Sequence, residues 1–101
     1  MEPERLSDFN ISDLVISTAG RDKDELFYVI AEEGEYLFLA NGKDRTLDRP
    51  KRKKRKHVQK VLRSETRVAL KLQKGDKVLN GELRRDLAFL ARQMQDTNLG
   101  G

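Results

Sequence analysis

Three short apolar runs near the start of the chain limit its fold more than any other feature. They are Leu14–Thr18, Leu26–Ile30 and Tyr36–Ala40, and their β-branched and aromatic residues favour strands over helices. Charged or glycine-containing segments separate the runs, and Glu33-Gly34 predicts a tight turn between the second and the third. The pattern therefore predicts a meander of short antiparallel strands.

Two further strands are expected beyond these runs. Asn41-Gly42 is a strong signal for a type I′ hairpin because both positions tolerate positive φ, so a fourth strand is expected over roughly Lys43–Leu47. Arg49-Pro50 ends that run, and His57–Leu62 is expected to form a last strand that closes the sheet. Short strands with turns at this spacing predict a mainly β fold, a small and partly open barrel.

The remainder of the chain predicts two helices. Ser64 is expected to cap the first helix, which has Val68 and Leu72 on one face and ends at Gly75. Asn80 is expected to cap the second helix. Its apolar stripe consists of Leu83, Leu87, Leu90 and Met94. The expected organisation is a polar lead-in over 1–12, the barrel over 13–63, a helical extension over 64–96 and a flexible tail over 97–101.

The charge of the chain is concentrated in one segment, Lys43–Arg63, which we call the basic stretch. It holds eleven basic and two acidic side chains, a net charge of +9, whereas residues 1–42 have a net charge of −7. Six of its basic residues, Lys51–Lys56, are consecutive. A concentrated positive field attracts polyanions by steering and by release of their condensed counterions. The basic stretch is therefore the predicted nucleic-acid contact surface.

Composition argues against several other classes of protein. The chain has no cysteine and a single histidine, so neither a disulfide framework nor a metal site is expected. No apolar segment approaches the length of a membrane span or of a signal sequence, and we expect a soluble cytoplasmic protein. No nucleophile–base pair or phosphate-binding glycine loop is evident, so we expect neither catalysis nor a cofactor.

Residues Asp13–Ile30 resemble the KOW motif of ribosomal and transcription proteins that have SH3-like barrels. The match comprises a short strand, a loop around Gly20, the Asp22-Lys23 pair and a second apolar strand. Asp24 stands where the family usually has a second glycine. Aspartate tolerates left-handed backbone geometry better than most residues, although its charge weakens phosphate contact at that position.

The basic stretch extends the resemblance. Residues 41–59, NGKDRTLDRPKRKKRKHVQ, are similar to a segment of certain archaeal and eukaryotic large-subunit ribosomal proteins and of small bacterial KOW proteins related to them. In those proteins a Lys/Arg run ends in a Lys-His-hydrophobic step, matched here by Lys56-His57-Val58. The resemblance covers roughly residues 13–60 and implies an SH3-like barrel that binds ribosomal or other structured RNA.

The predicted contact residues are basic side chains of the loop and of the basic stretch, together with its histidine. They are Arg21, Lys23, Lys43, Arg45, Arg49, Lys51, Arg52, Lys53, Lys54, Arg55, Lys56, His57 and Lys60. Gly20 is expected to let a phosphate approach the loop closely. His57 either hydrogen-bonds the barrel backbone or contacts RNA, by stacking on a base or by bonding to a phosphate. Tyr28 and Tyr36 are the aromatic residues expected at the surface.

Two other functions remain open from the sequence. One is a transcription-associated KOW module whose main partner is a protein, such as polymerase or a ribosomal protein. The other is a DNA-binding, nucleoid-type protein, since charge alone does not separate RNA from DNA. Separately, the C-terminal helix offers a surface for the ribosome or another protein partner.

Overall fold

Five strands and two helices follow one another in the computed structural model, which describes residues 9–100 and their side chains as far as Gln95. They are β1 Asp13–Ser17, β2 Leu26–Glu33, β3 Tyr36–Ala40, β4 Lys51–Lys54, β5 Val58–Arg63, α1 Arg67–Lys74 and α2 Asn80–Gly100. A 3-10 turn, Arg55–His57, links β4 to β5. The strands form one antiparallel sheet in the order β4-β3-β2-β1-β5, which confirms a mainly β fold with two helices.

Most of the strand predictions are confirmed. The three apolar runs form β1, β2 and β3, with the turn at Gly34 between the last two. The last predicted strand forms as β5, one residue later than expected, and pairs with β1. At the other end of the chain, α2 includes four of the five residues assigned to the tail, and Gly101 lies outside the described residues.

The fourth strand expected over Lys43–Leu47 is wrong. Asn41 does not have the positive φ that a type I′ turn requires. Instead its side-chain Oδ1 accepts hydrogen bonds from the backbone N–H groups of Lys43 and Arg45, at 2.9 and 3.0 Å. A short amide side chain that bonds its own backbone replaces strand pairing locally, so residues 41–50 form a loop and pairing resumes at Lys51.

The sheet is open but strongly curled. The N–H of Arg55 donates to the carbonyl of Glu35 in the β2–β3 turn, and the carbonyl of His57 accepts from the N–H of Thr18 at the far end of β1. Two residues of chain span only about 7 Å. A flat sheet would hold Glu35 and Thr18 far apart. The sheet must therefore bend until these two residues lie close together.

The curl encloses one apolar core on the inner face of the sheet. Its buried members are Phe9, Val15, Phe27, Val29, Leu37, Leu39 and Val58. Phe9 belongs to the predicted lead-in and is 6% exposed, and the N–H of Ser12 donates to the carbonyl of Val29. The described part of the lead-in, residues 9–12, is thus packed against the curled sheet, while residues 1–8 lie outside the described residues.

The outer face of the sheet carries the second core and is covered by the helices. Buried side chains of all three elements meet there: Leu14, Tyr28 and Ala40 from the sheet, Val68 and Ala69 from α1, and Leu83 and Leu87 from α2. Leu90 and Met94 pack against the same cluster, which confirms the predicted apolar stripe. The helices thus give the sheet a second buried face.

The cap predicted for α1 is wrong by two residues. Thr66 is the cap, because its Oγ1 accepts from the N–H of Ala69 at 3.1 Å. Ser64 is buried instead, with its hydroxyl 2.7 Å from that of Tyr28. The predicted end of the helix is confirmed at Gly75, whose φ of +79° suits a residue without a Cβ.

Asn80 begins α2 but does not cap it. Its Oδ1 accepts from the N–H of Leu47 at 2.8 Å and so joins the β3–β4 loop to the helix, while the Glu82 carboxylate accepts from the N–H of Leu79. The same junction explains Gly42, which has a φ of +78°. A Cβ at Gly42 would stand 2.3 Å from the Asn80 carbonyl oxygen, so the loop can pack here only with glycine.

A buried polar network joins the sheet to both helices. The Tyr28 hydroxyl donates to Asp86 Oδ2 on α2 at 2.5 Å, and Thr66 Oγ1 donates to the same oxygen at 2.8 Å. Burial, together with the bond to Asp86, raises the pKa of Tyr28 to about 12. Tyr28 is fully buried, so its expected surface position is wrong.

Tyr28→Phe should lower the free energy of unfolding by about 1–3 kcal/mol, because the buried Ser64 hydroxyl and the partly buried Asp86 carboxylate each lose a hydrogen bond. The raised pKa means that this stabilisation is fully present below pH 10 and is lost as the pH rises towards 12. Urea denaturation of wild type and variant between pH 7 and about pH 11 measures both effects. Tyr36→Phe is the control, and equal stability of the two variants would show that the network contributes nothing.

Candidate nucleic-acid interface

The consecutive basic residues Lys51–Lys56 form a fixed part of the fold. The first four make up β4, the outer strand beside β3, and the last two enter the 3-10 turn. Side chains alternate between the faces of a strand, so Lys51 and Lys53, opposite Leu39 and Leu37, face the inner core. Arg52 and Lys54 face outward and are exposed. The strand therefore places half of its four basic side chains on the inner face of the sheet and half in solvent.

Lys53 is a buried structural residue. It is 8% exposed, and its Nζ donates to the Ala19 carbonyl at 2.6 Å and to Asp22 Oδ1 at 2.7 Å. A Cβ at Gly20 would lie 3.3 Å from the same Nζ, so the space beside this glycine is occupied by the ammonium group. The close approach that we expected for a phosphate is made here by Lys53, and burial removes Lys53 from the contact surface.

We call the contact of Lys53 with Ala19 and Asp22 the clamp, and Asp22 is its anionic partner. Burial alone would raise its pKa, but hydrogen bonds from Lys53 and Ser17, together with the charges of Lys53 and Lys51, lower the pKa below its ordinary value of 3.8. The Lys51 Nζ lies 3.7 Å from the second carboxylate oxygen. Asp22 is thus ionised at neutral pH and holds the β1–β2 loop, residues 18–25, against β4.

The outward side chains of β4 lie beside aromatic residues of β3. The Arg52 guanidinium lies 3.8 Å from the centroid of the Tyr36 ring, a cation–π contact that limits the rotamers available to the arginine. Lys54 is opposite Tyr36, and Phe38 is opposite Arg52, on the same face. Tyr36 is only half-buried, as the sequence led us to expect.

The 3-10 turn holds the rest of the run. Arg55 donates from Nη2 to Glu32 at 2.5 Å and from Nε to the Gly34 carbonyl at 2.8 Å, so its guanidinium is fixed to the β2–β3 turn. Lys56 is exposed. His57 is half-buried, and its backbone carbonyl closes the curl of the sheet through Thr18.

The β1–β2 loop and the β3–β4 loop meet at one end of the sheet and enclose a cleft of about 290 Å³. Its walls carry three cations, Arg21, Arg45 and Lys51, and three carboxylates, Asp22, Glu25 and Asp44. A hydrogen bond from the Asn41 amide lowers the pKa of Asp44. The fold therefore brings predicted contact residues from two distant segments into one site of mixed charge.

Two residues of the β1–β2 loop have a left-handed backbone conformation. Gly20 and Asp24 both have positive φ, +88° and +73°, so the aspartate takes the left-handed conformation that we expected it to tolerate. The N–H of Asp24 donates to the Ser17 carbonyl at 2.7 Å. Lys23 and Arg49 are exposed in the two loops, and Lys43 lies beside the cleft in a neighbouring hollow.

Lys60 is not among the residues that line the cleft. It lies on β5, where its Nζ is 3.2 Å from the carboxylate of the buried Asp13 and 5.9 Å from the centroid of the Phe9 ring. These contacts join Phe9 and β1 to the last strand, while the Lys60 side chain itself stays 40% exposed.

Sequence reasoning missed the carboxylates of the site. Glu25 and Asp44 line the cleft, but in the sequence they stand alone among polar loop residues and carry no motif. Their meaning depends on two loops that come together only in the folded chain. The net charge of a sequence segment also gives no sign that a carboxylate in it lies beside arginine and lysine side chains of another segment.

Other kinds of site receive no support from the described residues. Within residues 9–95, no group of three or more His, Cys, Asp or Glu side chains is arranged to hold a metal ion. Neither helix, as far as it is described, has the length and apolar character needed to cross a bilayer. A scan against protein-family models and a search of the curated proteins find no match to this chain.

Lys53→Met should lower the free energy of unfolding by about 2–4 kcal/mol, because it leaves the Asp22 carboxylate largely buried without its main partner. Lys54→Met removes the same charge from an exposed neighbour and should change stability by less than about 0.5 kcal/mol. Chemical denaturation of both variants measures the difference. Equal effects would mean that the clamp contributes no stability.

The clamp should also make stability depend on acid pH. Because the pKa of Asp22 is lowered by folding, its stabilisation is present above about pH 4 and is lost as the pH falls through the folded pKa. The difference in unfolding free energy between wild type and Asp22→Asn should therefore be large at pH 7 and shrink below pH 3.8. A difference that stays constant with pH would contradict the lowered pKa.

Proposed function

We propose that this chain is a non-enzymatic RNA-binding protein of KOW type, which binds ribosomal or other structured RNA in the cytoplasm. One observation carries the proposal: the exposed cations of the basic stretch stand on a rigid edge of the sheet. Arg52 and Lys54 project outward from β4, and Lys56 follows in the 3-10 turn. A charge run in a disordered tail would have to be ordered on binding, whereas this one is already positioned.

The topology supports an SH3-like barrel. Four strands form a meander, the 3-10 turn reverses direction, and β5 returns to pair with β1. The first and last strands are thus neighbours in a curled sheet, as partial closure of a small barrel requires. The left-handed loop residues Gly20 and Asp24 add support for the KOW-type loop.

Phosphate neutralisation is the proposed mechanism. Arginine grips a phosphate with two parallel hydrogen bonds and lysine acts as a point charge. Arg52 and Lys54 are two residues apart on a strand, about 6.5–7 Å, so they present an ordered row of charge to a sugar–phosphate backbone. Fixed cations on a rigid fold favour recognition of shape over base sequence, as is usual for structured RNA.

The triple variant Arg52→Gln, Lys54→Gln, Lys56→Gln should weaken binding to a structured ribosomal RNA fragment. Each lost phosphate contact removes about 0.7–0.9 from the slope of log affinity against log salt, so three lost contacts should make the slope about 2–3 less negative. Fluorescence anisotropy over a range of salt concentrations measures it. Lys53 and Arg55 are kept, because Lys53 is buried and the Arg55 guanidinium is already bonded to Glu32 and to the Gly34 carbonyl.

The matched control is Arg67→Gln, Lys74→Gln, Arg92→Gln, which removes three exposed charges from the helices. Its salt slope should remain close to that of the wild type. A wild-type slope near zero, or equal losses in the two triple variants, would overturn the proposal. Competition with duplex DNA separates RNA recognition from general affinity for polyanions.

A second candidate function is supported by the exposed surface of α2. Phe89 is 54% exposed and lies in a shallow hollow beside Val68 of α1, where a protein partner of the transcription or translation machinery would bind. Phe89→Ser should then abolish capture of polymerase or ribosomal proteins while RNA affinity is unchanged. Crosslinking and sequencing of RNA bound in cells distinguishes the two, because one enriched ribosomal RNA region favours the first function.

A further inference from the structure

The cleft between the β1–β2 and β3–β4 loops contains charged groups that the fold does not use. Lys51 faces Asp22, and Asp22 is bonded to Lys53. Asp44 accepts from the Asn41 side chain at 2.9 Å. This leaves three groups without a hydrogen-bond or salt-bridge partner among the described residues, and they are Arg21, Arg45 and Glu25.

The backbone beneath these three groups is fixed. The N–H of Arg45 donates to the side-chain oxygen of Asn41, and the carbonyl of Arg45 accepts from the N–H of Asn41. Glu25 is held at the start of β2, where its carbonyl accepts from Ser17 and its N–H donates to Asp22. Arg21 lies in a turn closed by the bond from the Lys23 N–H to the Gly20 carbonyl. The backbone of the cleft is therefore held by hydrogen bonds within the protein, whereas the side chains of Arg21 and Glu25 are exposed.

The charges of the cleft select the class of ligand. Two unpaired guanidinium groups suit a phosphate, but the carboxylate beside them would repel a bare phosphate ion. A nucleotide carries both an anion and hydrogen-bond donors, and therefore fits the two signs of charge together. The volume of about 290 Å³ lies at the lower end of the range for small-ligand sites, so the cleft holds about one nucleotide and not a duplex.

The carboxylate also selects the base. Guanine presents two adjacent donors, N1–H and the N2 amino group, which match the two oxygens of a carboxylate. Adenine and cytosine place an acceptor nitrogen beside their amino donor, and uracil has one N–H between two carbonyls, so each pairs with a carboxylate less well. Single-stranded loops and bulges of RNA expose these Watson–Crick edges to proteins.

The geometry points to a binding site for one unpaired guanine nucleotide of RNA, with Glu25 accepting from the base and Arg21 and Arg45 holding its phosphate. This assignment rests on the proposed RNA-binding function and adds a base preference to it. The basic edge of β4 supplies affinity for RNA of any sequence, and the cleft distinguishes one loop nucleotide from another. Glu25 acts in this site as a specificity residue.

The test uses the full chain and three stem–loop RNAs that differ at one loop nucleotide, which is guanosine, inosine or adenosine in an otherwise uridine loop. Wild type should bind the guanosine loop about tenfold more tightly than the adenosine loop, because a good bidentate pair gives discrimination of this order. Inosine lacks the N2 amino group and should fall between them. Glu25→Gln should reduce the preference for guanosine to about twofold or less, since it removes one of the two acceptor oxygens.

The control is Glu65→Gln, an equal change of charge just after β5, at the end of β1 away from the cleft. It should leave the preference intact. Arg21→Gln and Arg45→Gln should weaken binding to all three loops without changing their ranking. Amide chemical shifts in the two loops, recorded on addition of the guanosine stem–loop, show whether the nucleotide occupies the cleft and whether each variant is folded.

Two negative results have different meanings. Binding of the three RNAs with equal affinity, or a guanosine preference that survives Glu25→Gln, overturns the guanine site and leaves the RNA-binding function standing. Failure of wild type to bind any of the three at low salt overturns the RNA-binding function and the guanine site with it.

Discussion

The ion pair between Lys53 and Asp22 is the contact on which the shape of the sheet and the candidate site depend. β4 is an outer strand and pairs with β3 only. Apart from the backbone bond between Thr18 and His57, its position relative to the β1–β2 loop depends on the side chains of Lys51 and Lys53. Lys53 reaches from β4 to Ala19 and Asp22 of this loop, where water is largely excluded and the attraction is strong. The loop that this pair holds carries Arg21 and Glu25, so the cleft is a consequence of the clamp.

Strand geometry gives different roles to chemically similar residues. Along β4 the side chains alternate, and an unbroken basic run becomes an inner pair that faces Asp22 and an outer pair that faces solvent. Arg55 is fixed to Glu32 in the following turn. Neutralising this segment uniformly would therefore mix loss of the fold with loss of the contact surface.

The helices determine how much of the sheet is left for a ligand. Tyr28 bonds Asp86 of α2 through its hydroxyl and packs with Leu14 and Ala40, so the helices cover the part of the outer face around these residues. The part of the outer face that bears Arg52, Lys54 and Tyr36 stays partly exposed. The polar network of Tyr28, Thr66 and Asp86 fixes the position of the helices on this face. A shift of either helix would leave a carboxylate or a hydroxyl group without a partner.

The sequence by itself determined the strand runs, the apolar stripe of α2, the end of α1 at Gly75 and the position of the basic stretch. Each of these depends on local pattern: periodicity, left-handed glycine or charge density. Only the tertiary structure decided the loop at Asn41, the cap at Thr66, the burial of Lys53 and the meeting of Arg21, Glu25 and Arg45. The loop and the cap are choices between local hydrogen bonds, which differ by only about 1 kcal/mol until packing selects among them. The burial of Lys53 and the meeting of the three cleft residues depend on partners distant in sequence. The basic stretch could thus be found from the sequence, but the division of its cations between fold and surface could not.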